Sequence, residues 1–298
     1  MRIDGRTKIA GVIGLPIDHS LSPAMHNAAY ESLDLNWVYV PMPVPDHGAL
    51  MRVVSAVRSL PVVGFNVTMP YKQAMLGLCD EVAMFAQMAG AVNTVHCVDG
   101  RLIGYNTDGR GLLESLAEEA DFEPEGRRIV VIGTGGAAGA AMVGFVLGKA
   151  SHITVAGRDV DKADQMLARV RDYLRGVQVE PVTLGPELER TVRGADLVIN
   201  ATSLGMKPDD PSPVPGEWLS AGQVVCDMTY ACAETTLLTA ARGAGAKAVS
   251  GLGMLVAQGA LAIDIWMESA QVRAPRDIMR TSAEKALDAL RAEDGDCT

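Results

Sequence analysis

Apolar runs of strand length alternate with segments of helical spacing through the first part of the chain. Residues 8–14 form an apolar run, residues 23–33 show helical spacing, and residues 37–40 form a second apolar run. Helical spacing over 48–59 and a strand-like segment over 62–66 continue the series. Such alternation is typical of parallel strands connected by helices that cover the faces of the sheet. We therefore predict an N-terminal α/β domain with a mainly parallel sheet.

Turn-forming and acidic residues mark the end of this first unit. Helical spacing returns after Pro70, residues 104–108 are typical of a turn, and a helix is predicted to begin at Gly111. Residues 118–126 are acidic and contain helix-breaking residues, which makes them the best candidate for a linker. We expect the first unit to end before this segment.

A second alternating series follows the linker. Its predicted strands are residues 129–132, 152–156, 195–200, 223–228 and 247–249. Four prolines between positions 208 and 215 indicate a long loop, where an extended segment could cover a cofactor. Two helices are then predicted over 254–267 and 276–290. We predict that they pack back on the first unit, so that the second unit is inserted between its pieces.

The bulk composition agrees with two globular domains. The chain has 298 residues, which exceeds the usual size of a single core. Hydrophobic residues make up 48% and charged residues 21%, which excludes the signature of disorder. The formal net charge of -10 argues against a nucleic-acid partner, because binding of a phosphate backbone needs a basic face.

Cysteine use and the N-terminal sequence bear on the compartment. The five cysteines, at positions 79, 97, 226, 232 and 297, form no C-x-x-C pair and leave an odd number, unlike a disulfide framework or a zinc site. The N-terminus lacks the apolar segment of a signal peptide, and no apolar run reaches the ~20 residues of a membrane span. We therefore expect reduced thiols, no metal, no membrane partner and a cytoplasmic location.

A glycine-rich loop near the middle of the chain carries a dinucleotide-binding pattern. Gly133, Gly135 and Ala138 match G-x-G-x-x-A/G between a predicted strand and a predicted helix. The helix N-terminus there offers backbone donors and a positive dipole to phosphates. The alternative is a glycine-rich turn in an ordinary α/β unit. The context favours a Rossmann-type domain, with the candidate cofactor-binding residues Gly133, Thr134, Gly135, Gly136, Ala137 and Ala138.

Residues just after the second strand of this domain give conflicting signals about the cofactor. Arg158 and Lys162 could bind a 2′-phosphate, which indicates NADP. Asp159 could instead accept a hydrogen bond from a free ribose 2′-hydroxyl, which indicates NAD. In a third interpretation, all three residues lie in the solvent-exposed first turn of a helix, and Asp159 is its N-terminal cap.

Polar clusters that precede the glycine loop suggest a substrate domain. Ser20 and Ser22 place two hydroxyls at a loop-to-helix junction, where they could bind a carboxylate or where one of them simply caps the helix. Thr68 and Lys72 follow a predicted strand. Lys72 alone would be a surface lysine, whereas Lys72 paired with Asp108 is a candidate proton carrier for a substrate hydroxyl.

Several motifs in order along nearly the whole chain give it a family resemblance. The chain resembles the shikimate dehydrogenases, including the quinate/shikimate dehydrogenase branch. The motifs are HSLSP (19–23), NVTMPYK (66–72), AGAVNT (89–94), NTDG (106–109), NATSLGM (200–206), DMTY (227–230) and GMLVAQ (253–258).

The resemblance implies a discontinuous substrate-binding domain over 1–110 and 251–298, and a Rossmann-type domain over 111–250. It implies a reversible, NAD(P)-dependent reduction of 3-dehydroshikimate to shikimate in aromatic amino-acid biosynthesis. Lys72 and Asp108 would form the acid/base pair. The substrate-binding residues would be Ser20, Ser22, Thr68, Lys72, Asn93, Asp108, Tyr230 and Gln258. The further candidate residues for the cofactor are Thr202, Met228 and Gly251.

Two positions depart from the pattern of the family. The sequence Gly157-Arg158-Asp159 replaces the usual Asn-Arg-Thr, which resembles the branch that also accepts NAD. We expect NADP as the cofactor, with NAD as the alternative. Ser22 stands where quinate-preferring relatives often have threonine, which favours shikimate. One methyl group in a pocket gives only ~1–3 kcal/mol of discrimination.

Two alternative functions stay open on the sequence. One is a quinate/shikimate dehydrogenase or an analogue-specific paralogue, which would use the same lysine and aspartate. The other is a cofactor and metabolite sensor without catalysis, which the retention of both Lys72 and Asp108 disfavours. We expect a monomer or a homodimer with a small-molecule substrate.

Overall fold

The computed structural model describes residues 3–207, 209–230, 234–269 and 271–294, and these form two compact units. The first unit contains the described residues up to Thr107 and those from Val256 onward, and the second contains Asp108–Leu255. The two mostly parallel sheets confirm the predicted α/β class.

The first unit is built on a six-stranded sheet. Its strands and helices are β1 (Lys8–Gly14), α1 (Ser22–Ser32), β2 (Trp37–Pro43), α2 (His47–Val57), β3 (Val62–Val67), β4 (Glu81–Val82), α3 (Met84–Ala89), β5 (Thr94–Val98) and β6 (Arg101–Tyr105). The strand order is β2-β1-β3-β5-β6-β4, and β5 alone runs antiparallel to its neighbours. Its core combines residues such as Ile13, Leu50, Phe65 and Met75.

The hairpin of β5 and β6 was not predicted. Asp99 and Gly100, with φ of 49° and 77°, form its turn, and such Asp-Gly turns match the twist of paired strands. The turn predicted over 104–108 is wrong at its start, because Gly104 and Tyr105 belong to β6. The helix predicted after Pro70 is also wrong, since only a short 3₁₀ turn forms over Ala74–Gly77.

A physical reason for the missing helix is visible in its hydrogen bonds. The carbonyl oxygen of Lys72 accepts from the backbone N–H of Val92 at 2.8 Å, so it is used by a neighbouring segment rather than by a helical turn. The linker predicted over 118–126 is partly helical, because α4 (Asp108–Ala120) continues to Ala120.

The two C-terminal helices return to the first unit, as predicted. They are α9 (Gly251–Met267) and α10 (Arg276–Asp294), and α10 packs on α1. The indole Nε1 of Trp266 in α9 donates to the carbonyl oxygen of Val95 at 2.9 Å. Gly64 of β3 lies directly below that indole, and a Cβ there would collide with it.

The second unit is a parallel six-stranded sheet with the order β12-β11-β10-β7-β8-β9. Its elements are β7 (Arg128–Ile132), α5 (Gly136–Leu147), β8 (His152–Gly157), α6 (Val160–Ala168), β9 (Gln178–Thr183), α7 (Pro186–Arg193), β10 (Leu197–Asn200), β11 (Val224–Asp227), α8 (Thr236–Gly243) and β12 (Lys247–Ser250), with α4 before them. The strand order reverses at β7, and ligands of such sheets bind at the carboxyl ends of strands at this point. The glycine loop follows β7 there.

No helix in the described part of the chain has the length and apolar character that a membrane span requires. The described cysteines, Cys79, Cys97 and Cys226, are not in disulfides.

A buried histidine lies in the core of the first unit. His26 of α1 is 0% exposed, its ring stacks on Tyr39 at 4.1 Å between centroids, and its Nδ1 lies 2.9 Å from the carbonyl oxygen of Ser22. Its Nε2 has no hydrogen-bond partner among the described residues. Burial lowers the pKa of His26 to about 4. The folded protein therefore resists protonation of this ring.

We predict that acidification destabilises the protein through His26. Between the ordinary pKa near ~6.5 and the folded value, the unfolded chain takes up a proton that the folded chain does not, so stability is complete above this window and is lost on lowering the pH through it. The loss approaches about 3 kcal/mol at the acidic end. Urea unfolding of His26→Phe between pH 7 and pH 4 should show a flatter decline than that of the unmodified protein.

The matched control is His47→Phe, because His47 is exposed at the start of α2. The stability of this variant should fall with decreasing pH as steeply as that of the unmodified protein. An equal decline in His26→Phe and His47→Phe would show that other groups control the acid transition.

Candidate functional site

The glycine loop has the backbone geometry that a pyrophosphate site needs. Gly133 has φ of 122°, and a Cβ there would lie 2.8 Å from the carbonyl oxygen of Ala201. Gly135 is exposed and precedes α5, and a Cβ on it would meet no atom within 4 Å. Because glycine occupies the N-cap position, no side chain of that residue bonds to the first N–H groups of α5. The first N–H groups of α5 are thus arranged beside open space, as anion binding requires.

The remaining residues of this loop divide between surface and core. Thr134, Gly136 and Ala137 are half-buried, whereas Ala138 is 0% exposed and lets α5 approach the sheet. Gly157 at the end of β8 lies close to the loop, since a Cβ there would be 2.8 Å from the methyl group of Thr134. The residues after β8 therefore lie beside the glycine loop.

The structure shows how the conflicting charges after β8 are arranged. Asp159 is the N-cap of α6, and its Oδ1 accepts from the backbone N–H groups of Asp161 at 3.1 Å and Lys162 at 3.3 Å. Its Oδ2 lies 3.8 Å from Nζ of Lys162. Arg158 is exposed. The carboxylate of Asp159 thus has a local structural role and a cationic neighbour, which reduces its repulsion of a phosphate near Arg158.

The other candidate cofactor residues follow β10, β11 and β12: Thr202 and Met228 lie in loops, and Gly251 is the first residue of α9. The hydroxyl of Thr202 donates to Oδ1 of Asn200 at 2.7 Å and accepts from the N–H of Leu204 at 3.1 Å, so it stabilises its own loop. Met228 is half-buried. Gly251 packs against it, and a Cβ on Gly251 would collide with the carbonyl oxygen of Met228.

The first unit places the predicted hydroxyls at the start of α1. Oγ of Ser20 accepts from the backbone N–H of Ser22 at 3.3 Å, and Pro23 occupies the first turn. Ser20 is half-buried and Ser22 is buried. Leu21 occupies the N-cap of α1 and no side chain caps this helix, so the alternative that one serine caps it is wrong. The hydroxyl of Ser20 can still donate a hydrogen bond.

Thr68 and Lys72 follow β3, as predicted. The N–H of Thr68 donates to the carbonyl oxygen of Ile13 at 2.8 Å, and its methyl group lies directly against Gly14, where a Cβ would collide with it. Both Thr68 and Lys72 are half-buried. The segment is thus fixed against the end of β1 by backbone contacts.

Asn93 is the centre of a buried hydrogen-bond cluster. Its Oδ1 accepts from the backbone N–H of Thr107 at 2.8 Å and from Oγ1 of Thr94 at 3.0 Å. Its Nδ2 donates to Oγ1 of Thr107 at 2.9 Å and to Oε1 of Gln258 at 3.3 Å. A backbone N–H can only donate, so the bond from Thr107 fixes which end of the Asn93 amide is oxygen.

The orientation of Gln258 follows from that of Asn93. Because Nδ2 of Asn93 is a donor, Gln258 turns its Oε1 toward Asn93 and its Nε2 group to the other side. Gln258 is 8% exposed and Asn93 is 2% exposed.

Three supporting residues were missing from the predicted site. Asn66 accepts from the hydroxyl of Tyr39 at 2.8 Å and donates to Oγ1 of Thr94 at 3.0 Å, and Thr107 completes the cluster. Asn66, Thr94 and Thr107 all stand inside the quoted motifs. Their supporting role depends on side-chain orientation, which the sequence does not contain.

Asp108 and Tyr230 belong to the second unit. Asp108 directly follows Thr107, begins α4 and is buried. Tyr230 is half-buried and stands three residues after the end of β11. Burial raises the pKa of Tyr230 to about 12, so its hydroxyl keeps its proton and can donate it in a hydrogen bond at neutral pH. Within the described residues, no group of three or more His, Cys, Asp or Glu is placed to hold a metal ion.

Comparisons with known proteins agree on one family. Residues 12–95 match the model of the shikimate dehydrogenase substrate-binding domain, and residues 115–206 match the model of shikimate/quinate 5-dehydrogenase. A shikimate dehydrogenase (NADP(+)) of Methanopyrus kandleri is 42% identical over 292 residues, which cover 97% of this chain and 98% of that protein.

Solved structures give the same result. A shikimate dehydrogenase in complex with NADP+ has a TM-score of 0.86 at 38% identity, covering 96% of this chain and 98% of that one. A quinate dehydrogenase of Corynebacterium glutamicum in complex with NAD has a TM-score of 0.85 at 29% identity, covering 94% and 99%. The likeness thus includes relatives named for each of two substrates.

The two glycines of the loop should respond differently to alanine. We predict that Gly133→Ala destabilises the protein by about 1–3 kcal/mol, because it combines a left-handed φ with a close approach to Ala201. Gly135→Ala should stay within about 1 kcal/mol, because its backbone is extended and its Cβ would be unobstructed. Chemical denaturation of both variants measures the difference, and equal losses would contradict this account of the loop.

Proposed function

This chain belongs to the shikimate dehydrogenase family, and we propose on that basis that it catalyses the reversible, NADP-dependent reduction of 3-dehydroshikimate to shikimate. It is an oxidoreductase of the CH–OH group. The observation that supports the substrate best is the cluster around Asn93 and Gln258. Its fixed, buried carboxamides suit a small ring with several hydroxyls, and they would disfavour analogues that leave these groups unpaired.

The proposed division of labour follows the two units. The first unit, with Ser20, Ser22, Thr68, Asn93 and Gln258, is the substrate-binding domain. The second unit, with the glycine loop, is the dinucleotide-binding domain. The open space over Gly135 and the first N–H groups of α5 fit a pyrophosphate.

The substrate carboxylate would be bound by hydroxyl donors. Ser20 and Ser22 stand together at the start of α1, and the hydroxyl of Tyr230, which is protonated at neutral pH, is a further donor. Thr68, Asn93, Asp108 and Gln258 would bind the ring hydroxyls. Preorganised donors stabilise a carboxylate without reorganisation during the reaction.

The chemistry that NADPH would supply when bound by the second unit is a hydride for the ketone carbon of the substrate. The protein then needs to orient the carbonyl group and to give a proton to the oxygen that becomes an alkoxide. Lys72, in its ammonium form, would donate this proton and stabilise the developing negative charge. Asp108 would act with it as the second member of the acid/base pair, and the reverse reaction returns the proton to Lys72.

NADP is the cofactor that the arrangement after β8 supports, with NAD as the alternative. Arg158 is exposed beside the glycine loop and is suited to a 2′-phosphate. Asp159 caps α6 and lies near Lys162, so its charge is partly balanced. The oligomeric state, monomer or homodimer, and the cytoplasmic location stay predictions from the sequence.

We predict that Lys72→Met lowers kcat for shikimate oxidation by at least about 100-fold, because the proton carrier is lost. The Kd of NADP+ should change by less than about twofold, since Lys72 lies in the other unit. Lys8→Met is the matched control, because Lys8 is an exposed lysine at the amino end of β1 in the same sheet. Turnover of Lys72→Met equal to that of Lys8→Met would exclude Lys72 as the proton carrier.

We predict that Arg158→Ala raises the Kd of NADP+ at least about tenfold and leaves that of NAD+ unchanged, because only NADP carries the 2′-phosphate. Asp159→Asn keeps an oxygen for the α6 cap and removes the negative charge, so it should not raise the Kd of NADP+. Titration calorimetry with both nucleotides measures the effects. An equal loss of affinity for NADP+ and for NAD+ in Arg158→Ala would contradict a phosphate-selective role.

A further inference from the structure

A buried carboxylate stands at the carboxyl end of β11. Asp227 is 0% exposed, and its Oδ1 accepts from Nδ2 of Asn200 at 3.0 Å, from the N–H of Thr229 at 3.1 Å and from Oγ1 of Thr229 at 2.9 Å. Its Oδ2 accepts from Oγ1 of Thr235 at 2.7 Å. Burial of a carboxylate costs free energy, and here it raises the pKa of Asp227 in spite of these bonds. The four hydrogen bonds offset part of that cost, and their donors lie at the end of β10 and on both sides of the segment after β11.

On one side, the carboxylate orders the loop after β10. Asn200 pairs with Asp227 in the register of β10 and β11. Oδ1 of Asn200 accepts from the N–H and the Oγ1 of Thr202 at 3.0 and 2.7 Å, and its Nδ2 also donates to the carbonyl oxygen of Leu204 at 2.8 Å. Through Asn200, Asp227 thus fixes the backbone that passes beside Gly133 at Ala201.

On the other side, the carboxylate binds both ends of the segment 229–235. Thr229 and Thr235 each donate to it, and Oγ1 of Thr235 also accepts from the N–H of Leu238 in the first turn of α8. Met228 and Tyr230 flank Thr229 directly. The loop after β10 also packs here, because a Cβ on Gly205 would lie 3.0 Å from Oγ1 of Thr229 and 3.2 Å from Oδ2 of Asp227.

We propose that Asp227 is a positioning residue that holds the loops after β10 and β11 in the arrangement in which Thr202, Met228 and Tyr230 meet their ligands. Asp227 itself touches neither cofactor nor substrate in this scheme. The inference rests on the proposed function, because that function gives these three residues their ligands. It adds that one buried charge sets the geometry of two loops at once.

The same strand offers a matched control. Gln223 directly precedes β11 at the opposite edge of the sheet and is 5% exposed. Its Nε2 donates to the carbonyl oxygens of Val192 and Ala195 at 2.7 and 2.9 Å, and its Oε1 accepts from the N–H of Ser220 at 2.8 Å. Gln223 is therefore a second buried side chain that makes several hydrogen bonds, and it lies at the other end of β11 from the candidate ligand loops.

The experiment compares Asp227→Ala, Asp227→Asn and Gln223→Ala by NADP+ titration calorimetry and by amide hydrogen exchange without ligand. In Asp227→Ala we expect the Kd of NADP+ to rise at least about tenfold and the amides of Thr202 and Thr229 to lose protection. Asp227→Asn keeps an oxygen for Asn200 and Thr229, so its Kd should stay within about threefold. Gln223→Ala should lower the melting temperature with an unchanged Kd.

An unchanged Kd in Asp227→Ala, or an equal rise in Gln223→Ala, would overturn the proposal. If Asp227→Ala does not fold, Thr229→Val replaces it, and the same rise in Kd and loss of protection at Thr202 and Thr229 are expected, with unchanged values as the contrary result. Failure of the proposed function is distinguishable, because the unmodified protein would then not oxidise shikimate with NADP+, whatever the effect of Asp227→Ala on the Kd of NADP+.

Discussion

The backbone N–H of Thr107 donates to Oδ1 of Asn93, and this bond sets the polarity of the buried side chains around it. An N–H has no acceptor capacity, so the Asn93 amide has one orientation, and Gln258 follows from it. Buried polar groups without partners cost free energy, which makes any other orientation unfavourable. The substrate-binding unit therefore presents a fixed pattern of donors and acceptors before a ligand arrives.

The dinucleotide-binding unit applies the same constraint with a charged group. Asn200 and Asp227 are the last residues of two neighbouring parallel strands, and their side chains bond to each other. The loops that follow these strands donate hydrogen bonds to the same two side chains. Because the carboxyl ends of parallel strands lie at one edge, two such side chains can order several loops together. In both units, satisfied hydrogen bonds fix the orientation of buried polar side chains. Such preorganised donors would contribute to the proposed catalysis, because they need no rearrangement.

The sequence predicted the elements whose signal is local. Strand-length apolar runs located β1, β3 and β7, and the glycine pattern located the turn before α5, where Gly133 needs its positive φ. The helix predicted after Pro70 is wrong. The carbonyl oxygen of Lys72 in that segment accepts a hydrogen bond from the backbone N–H of Val92. That bond joins positions twenty residues apart, and periodicity does not report it.

The candidate site shows the same division. Its residue types could be proposed from motifs, because Ser20, Lys72 and Asn93 stand in short patterns with a family resemblance. The supporting roles of Thr94, Thr107 and Asp227 depend on which atom faces which, and only the structure supplies that. Asp159 illustrates the point, because the sequence allowed a cofactor contact or a helix cap and the structure shows the cap.

We propose that these two units together form an NADP-dependent dehydrogenase for shikimate. The most direct measurement is the steady-state kcat/KM of the purified protein with shikimate and with quinate, each with NADP+ and with NAD+, followed by the absorbance of the reduced nicotinamide. We expect the highest kcat/KM for shikimate with NADP+. Absence of nicotinamide reduction with shikimate and either cofactor, or a clear preference for quinate, would contradict it.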